Sequence, residues 1–568
     1  MDARRILAAA TGVAMTAGAL AWTRSFTADH PFQEYGFTWL RRPTAGELGF
    51  AWRYLLLGAP ASAILGYALA PWVARAAKRG AAPRAPLWIA LAAAAAVGAV
   101  GFAVLHDAPV TDDEYVYLFQ ARLLTRGLAS APAPEAPDFF VNAFVLTRDG
   151  RWFGQYPPGH PLILAPFVAA GAPRLASILL ALCNVWITAA VVRRMFGPGW
   201  AMVGASLLAL SPLFLLTSAT LLSHSTCYLG VAAAALGVLH LRDRPGVPGA
   251  ALAGIGLGLA VVTRPYTGLT VGGVVGLAAA VVLVRSRSPR AIAAFALPLA
   301  VWAAFFLVYN HAATGNALTT GYQAIRGEGQ VELGFGTVIE GFDPHTPLRG
   351  LYNVVVHAMR LHLWAFGWPL LAGVAAAGWW AGRRARPDRD TAVALRWAWV
   401  AFGVGLPAYL LYWSIGVNDT GPVKLFELML PVTVLTTAAL RSAVRRGRYG
   451  PAAWAAGSVV VGLAAFWPGR LMHLDRTAGQ VLEPYRAVAR AVTPPAVVFT
   501  ENVQPRAARS WVYGRPNPAP DLEDPVLFVR DLGPRNLELI RIHPGRTPYR
   551  LRYQGERPVV TPLHFRRP

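Results

Sequence analysis

Runs of apolar residues long enough to cross a bilayer, about 18 or more, recur along most of this chain. One of them reads "LWIALAAAAAVGAVGFAVL". A segment surrounded by lipid must satisfy its backbone N–H and C=O groups internally, so each such run is expected to be a helix. Short arginine clusters stand between the runs: "KRGAAPR", "RRMFG", "RDRPG", "RSRSPR", "RRARPDRD" and "RSAVRRGR". If every run crosses, all six fall on one side, which the positive-inside rule makes the cytoplasm; the N-terminal "MDARR" agrees. The net charge of +23 is thus an orientation signal, and no nucleic-acid partner is expected. Charged residues make up only 14% of the chain, against roughly 25% in soluble domains.

The expected spans lie at roughly 6–24, 52–75, 86–106, 174–193, 199–217, 224–241, 249–263, 267–284, 291–309, 364–382, 393–414, 425–441 and 451–467. The fold class is therefore an all-α polytopic membrane protein of about 13 transmembrane helices, placed in the cell's plasma (inner) membrane. The first span has the basic start and short apolar core of a signal peptide, but reads rather as an uncleaved anchor, because its removal would not improve the charge pattern downstream. The N-terminus is then cytoplasmic and the C-terminus outside. The outer segments are 107–158, the turns at Ser223–His224 and Arg264–Tyr266, 310–350, 415–424 and everything after about 468. The cytoplasmic loops are short and basic, so the chemistry is expected outside. Cys183 and Cys227 fall in or beside apolar segments and imply neither a disulfide framework nor a thiolate metal site.

Three parts follow: an N-terminal helix pair (1–85), a transmembrane core with outer loop 107–158 (86–467), and a soluble extracytoplasmic domain (468–568). In the last, "PPAVVFTE", "DPVLFVRDL" and "YRLRY" read as short strands between Pro- and Gly-rich turns, giving a small α/β domain. Its arginines suit either solvated surface or contact with anionic headgroups.

Where the span at 86–106 ends, the sequence continues "TDDEYVYLFQARLLTRG", Thr111 to Gly127. Thr111 and Glu114 match a capping box, and Asp112 and Asp113 suit the positive first turn of a helix. Capping needs one hydroxyl and one acid, so two carboxylates are left over for a general base on an acceptor hydroxyl or for a metal ion near phosphate. In "GQYPPGHPLILAP" the prolines mark re-entry into the membrane, and His160 reads as an interfacial histidine. Arg264 follows an apolar run on the outer side, placed to meet a lipid phosphate or to snorkel to the headgroups. Lys424 is spaced to pair with Glu427. His224 reads as a hydrogen-bonding residue at a helix start, and the His and Trp residues at 357–368 as an interfacial belt.

Asp113-Glu114, Tyr117, Ala121 and Gly127 reproduce the D-E-x-x-Y-x-x-x-A-x-x-x-x-x-G pattern of the first outer loop of GT-C glycosyltransferases. Tyr156 to Gly159 is similar to the Pro-Pro motif of that group, and "GIGLGLAVVTRPYTGL" (Gly254 to Leu269) to its G-x-x-x-G-L-A-x-x-T-[RK] segment. "YNHAATGNALTTGY" and "GPVKLFELMLP" resemble outer loops of bacterial members. From about residue 86 the chain thus resembles protein O-mannosyltransferases and lipid A aminoarabinose transferases. The resemblance implies a GT-C fold and a polyprenyl-phosphate-linked sugar as donor, moved with inversion to an extracytoplasmic acceptor hydroxyl on protein, lipid or polysaccharide. It makes Asp113 the general base, with Glu114 its partner acid and Asp112 beside them. Tyr117 and Glu427 become substrate-positioning residues. The aminoarabinose transferases carry a lysine before Pro-Pro where this chain has Tyr156, so Arg264, Lys424, Tyr156 and His160 are the candidates to hold the donor phosphate. Members differ in whether they use a divalent cation; no metal ligands are assigned. The alternatives are a secondary transporter and a non-catalytic envelope-assembly scaffold of the same fold.

Overall fold

The computed structural model describes residues 2–29, 43–79, 84–142, 144–326, 333–336, 344–371, 389–413, 420–500, 518–555 and 557–564. Among them, ten helices are long and apolar enough to cross a membrane. Pro198–Ala209 and Pro212–Ser218, bent by 63° at their junction, make an eleventh if they count as one broken span. The break follows from local chemistry. Pro212 cannot donate an N–H to the preceding turn, and the Ser211 hydroxyl caps the new helix by accepting from the Phe214 N–H at 3.0 Å. Val247–Thr263, expected as a full span, is a shorter apolar helix. The span expected at 364–382 lies outside the described residues beyond Leu371, as do 337–343, 415–419 and most of the "RRARPDRD" cluster.

Burial sorts the helices. Pro289–Thr314 has only 6% of its apolar window buried and Thr391–Leu411 17%, as for helices whose sides face lipid. His224–Asp243 and Val423–Arg445 are 72% and 78% buried and stand at the centre. Both begin on the side expected to be outer, so whatever their first turns carry is enclosed by the bundle.

Two sheets lie on that same side. Ala131–Pro132, Arg151–Gly154 and Val145–Arg148 form an antiparallel sheet with Arg151–Gly154 in the middle. Its hairpin turns at Asp149-Gly150, with φ of 50° and 72°, as a two-residue Asp-Gly turn requires. In the C-terminal region Ala496–Thr500 pairs in parallel with both Val526–Arg530 and Thr547–Gln554, and Arg557–Pro562 adds an antiparallel edge. The short helix Asn536–Ile542 connects two of these strands, so this region is the small α/β unit expected. The boundary drawn at 467/468, however, falls inside one continuous helical stretch, Gly450–Ala491. Its membrane half and its outer half meet at the π-turn Gly462–Phe466 with no polar break, which is why composition places an edge there and the backbone does not.

The two outer units pack together. Phe139 and Phe140 of the loop share one apolar cluster with Val497, Phe499, Leu527 and Val529 of the C-terminal sheet, and that cluster also includes Val116, Tyr117 and Phe119. The Phe139 and Phe499 rings lie 6.2 Å apart, and Arg535 bonds Asp138 at 2.9 Å.

Candidate active site

The carboxylate stretch begins a helix, Asp112–Leu124, with Thr111 at the N-cap in extended conformation. The expected capping box is only half present. The Thr111 hydroxyl makes no capping bond to the backbone and turns to Glu114 Oε1 at 3.3 Å. Glu114 reaches back one residue further, to the Val110 N–H at 3.5 Å, and its other oxygen accepts from the Leu221 N–H at 3.4 Å. It is fully buried, and ties the helix start to the Thr220–Ser223 turn rather than only capping its own helix. Burial pushes its carboxyl up to about 7, against the pull of the Arg174 guanidinium and those N–H bonds.

Arg174 has no place among the residues expected from sequence. It is 2% exposed and bonds Asp107 at 3.2 Å, the Ala108 carbonyl at 3.3 Å and the Ala219 carbonyl. Its stem passes over Gly101, in the π-turn Val100–Val104, where a Cβ would lie 2.8 Å from the Arg174 Cδ. An arginine opening an apolar helix on the outer side was the available signal.

Asp113 is half-buried, and Tyr117 lies one turn on along the same face. The Tyr117 hydroxyl donates to Ser223 Oγ at 2.8 Å. Burial first, and then the charge of Asp113, hold that phenol well above its ordinary range and hence neutral. The Arg264 guanidinium donates to the same Ser223 Oγ at 3.2 Å. Arg264 is simultaneously the C-cap of Val247–Thr263 and the N-cap of Pro265–Ser286, because Pro265 ends the first helix and opens the second. Its side chain, 22% exposed, lies 3.4 Å from Glu427, which is 1% exposed. Arg264 is therefore an anchored cation inside the protein, and snorkelling does not describe it. Glu427 also lies 3.5 Å from His224 Nδ1, so His224 belongs to this network and not merely to a helix start. The Lys424 ammonium sits 3.7 Å over the Tyr412 ring.

The Pro-Pro segment completes the enclosure. The Tyr156 ring packs 4.5 Å from Tyr117 and 5.6 Å from Tyr322, and its carbonyl accepts from Gln120 at 2.6 Å. The helix Gly159–Ala169 starts at Gly159 against Val262 and Thr263, where a Cβ would strike the Thr263 side chain. His160 stands 4.9 Å edge-on to Tyr117. Its two ring nitrogens are engaged, by Thr226 Oγ1 at 2.8 Å and the Leu221 carbonyl at 2.7 Å, and the residue is 1% exposed. Those bonds make it a clamp between helices, a buried role where an interfacial one was expected.

Asp113, Glu114, Tyr117, Tyr156, His160, Arg264 and Glu427 thus converge around Ser223, while Lys424 stands beyond Glu427. Ser223 was legible only as part of a turn, and His224 only as the hydrogen-bonding start of a helix. Among the described residues no group of three His, Cys, Asp or Glu side chains is placed to hold a metal ion. The arrangement offers a half-buried carboxylate one helical turn from Tyr117 and, bonded to the same serine as Tyr117, a cation fixed by Glu427.

No protein-family model and no curated protein sequence matches the chain. Among solved structures it is similar to ArnT from Cupriavidus metallidurans bound to undecaprenyl phosphate, with 12% identity and a TM-score of 0.48 over 82% of this chain and 96% of that one. It is also similar to the archaeal oligosaccharyltransferase AglB from Archaeoglobus fulgidus in complex with an inhibitory peptide and a dolichol-phosphate. There the identity is 12% and the TM-score 0.38, over 76% of this chain and 64% of that one. The functional reading stands on the chain's own residues.

Proposed function

We propose that this chain is a polyprenyl-phosphate-dependent membrane glycosyltransferase that moves a sugar, with inversion, to an extracytoplasmic hydroxyl. The observation that carries the reading is the meeting of Tyr117 and Arg264 on Ser223, which sets the Asp113 turn beside a partly buried cation. Asp113 takes the proton of the acceptor hydroxyl as that oxygen attacks the anomeric carbon, a contribution on the order of 10²–10⁴-fold. The bond from that carbon to the lipid phosphate breaks, and the charge left on the phosphate is met by Arg264. An arginine fits this task because its planar fork can hold two phosphate oxygens, and Glu427 fixes the fork's direction. Tyr117 stays neutral and donates through Ser223, positioning the groups without competing for the proton. Glu114 holds the helix start in place.

Mass spectrometry of envelope polymers and lipids from cells carrying the wild type or Asp113→Asn tests the reading. Loss of one glycan decoration in the variant is expected and would identify both sugar and acceptor. Identical products from the two strains would refute Asp113 as the base.

A further inference from the structure

The helix Pro347–Trp364 is amphipathic in the reverse sense from a helix of a soluble domain. Leu348, Leu351 and Val355 form an exposed apolar stripe, while Asn353, His357 and Arg360, on another stripe, are at most 2% exposed. Polar groups inside and apolar groups outside suit a helix with lipid on one side and a polar chamber on the other. His357 is wholly buried, and among the described residues neither of its ring nitrogens has a hydrogen-bond partner. Such a group is costly unless something else satisfies it.

The surroundings of His357 lead back to the phosphate site. Its ring packs 4.7 Å from that of Tyr409, whose hydroxyl donates to the Lys424 carbonyl. Asn353 donates to the Tyr412 carbonyl at 2.8 Å, beneath the ring that carries the Lys424 ammonium. Lys424 and Glu427 both belong to the 3₁₀ helix Val423–Leu428. Residues three apart in such a helix eclipse one another, separated by roughly 6 Å along the axis. Lys424 therefore stands one turn from the carboxylate that holds Arg264.

We propose that Lys424, His357 and Arg360 form a second anion subsite beside Arg264, which takes a second negatively charged group on the lipid-linked donor. That group is either the outer phosphate of a prenyl diphosphate or the carboxylate of a sugar acid. Lys424 lies about one 3₁₀ turn from Glu427, the partner of Arg264, and a second cation so placed suits two covalently joined anions better than a single phosphate, through charge-assisted bonds. The inference rests on the reading of Arg264 as the contact to the first phosphate.

The test titrates a short-chain prenyl monophosphate, the matching diphosphate, and glucuronate in the presence of monophosphate into the full-length protein in lipid nanodiscs. The wild type is expected to bind the diphosphate about tenfold or more tightly than the monophosphate, or to bind glucuronate at millimolar concentration with the monophosphate still held. The first outcome identifies the second phosphate and the other the sugar acid. Lys424→Met should abolish whichever effect is seen while leaving monophosphate binding within about twofold. His357→Phe should do the same; if its melting temperature collapses, the half-buried Lys424 decides. No diphosphate preference together with no glucuronate binding overturns the second subsite and leaves the first standing. Failure of the wild type to bind monophosphate, or binding unaffected by Arg264→Ala, overturns the reading of the first site and the second with it.

Discussion

Glu114 is an acid that the fold holds near neutrality. Its carboxyl titrates at about 7 in the folded chain, against 4.5 when unburied. Between those values the folded state keeps a proton that the unfolded state has released, so stability falls as pH rises from about 4.5 to about 7 and is level above. A gap of about 2.5 units corresponds to roughly 3 kcal/mol as an order of magnitude. Glu114→Gln, which mimics the protonated acid, is therefore expected to raise the melting temperature at pH 8 and leave it nearly unchanged at pH 5. Equal shifts at both values would show that burial is not what sets this carboxyl. Arg174 lowers the same carboxyl, so thermal melts of Arg174→Met should show the pH-dependent loss shifted to higher pH. Residue by residue, Arg264 and Glu427 stood out as charges beside apolar runs, and Asp113 through the motif it shares with GT-C glycosyltransferases. Ser223, the common partner of Tyr117 and Arg264, did not, since a serine in a turn carries no signal until distant helices are brought together. His160, His224 and His357 were only partly legible for the same reason: a histidine's role is set by partners that periodicity does not reveal.

The elements that place those residues depend on a few close approaches. Gly159 lets the re-entering helix lie against Val262 and Thr263, directly before Arg264. Gly159→Ala must push the two apart, at about 1–3 kcal/mol, and move Arg264 relative to Tyr117. Transfer activity is expected to drop at least tenfold while the protein still extracts as a folded monodisperse species, checked by activity assay beside size-exclusion chromatography. The joint between the outer loop and the C-terminal sheet is apolar at its centre. Phe499→Ala should cost about 3–5 kcal/mol locally and make the C-terminal unit more susceptible to limited proteolysis than the membrane helices. At this scale the sequence was read unevenly. Three of the four C-terminal strands were visible as apolar runs between turns. The loop hairpin was missed although "VLTRDGRWFG" contains the Asp-Gly pair that announces one.

For the whole molecule, apolar runs separated by arginines were enough to find the spans, because lipid leaves a chain few choices. The expected thirteen became ten full spans, one broken pair and one short helix, with one falling beyond the described residues. Length was the weak point: a run that bends at Pro212 looks continuous to hydropathy, and the 17 residues of Val247–Thr263 stop short of a full span. The orientation itself gives a prediction. A C-terminal fusion to alkaline phosphatase should be active and one to a cytoplasm-dependent fluorescent protein dark; the reverse pattern would invert every outer segment. The unbroken helix Gly450–Ala491 sets a further property. Forty-two residues span about 63 Å, some twice the hydrocarbon thickness, so about half of the rod projects from the bilayer like a mast. A bilayer that is too thin tilts the buried half, and a tilt of about 10° swings the projecting end sideways by about 5 Å. The strand after the mast belongs to the sheet that grips Phe139, so acyl-chain length becomes a lever on the outer loop.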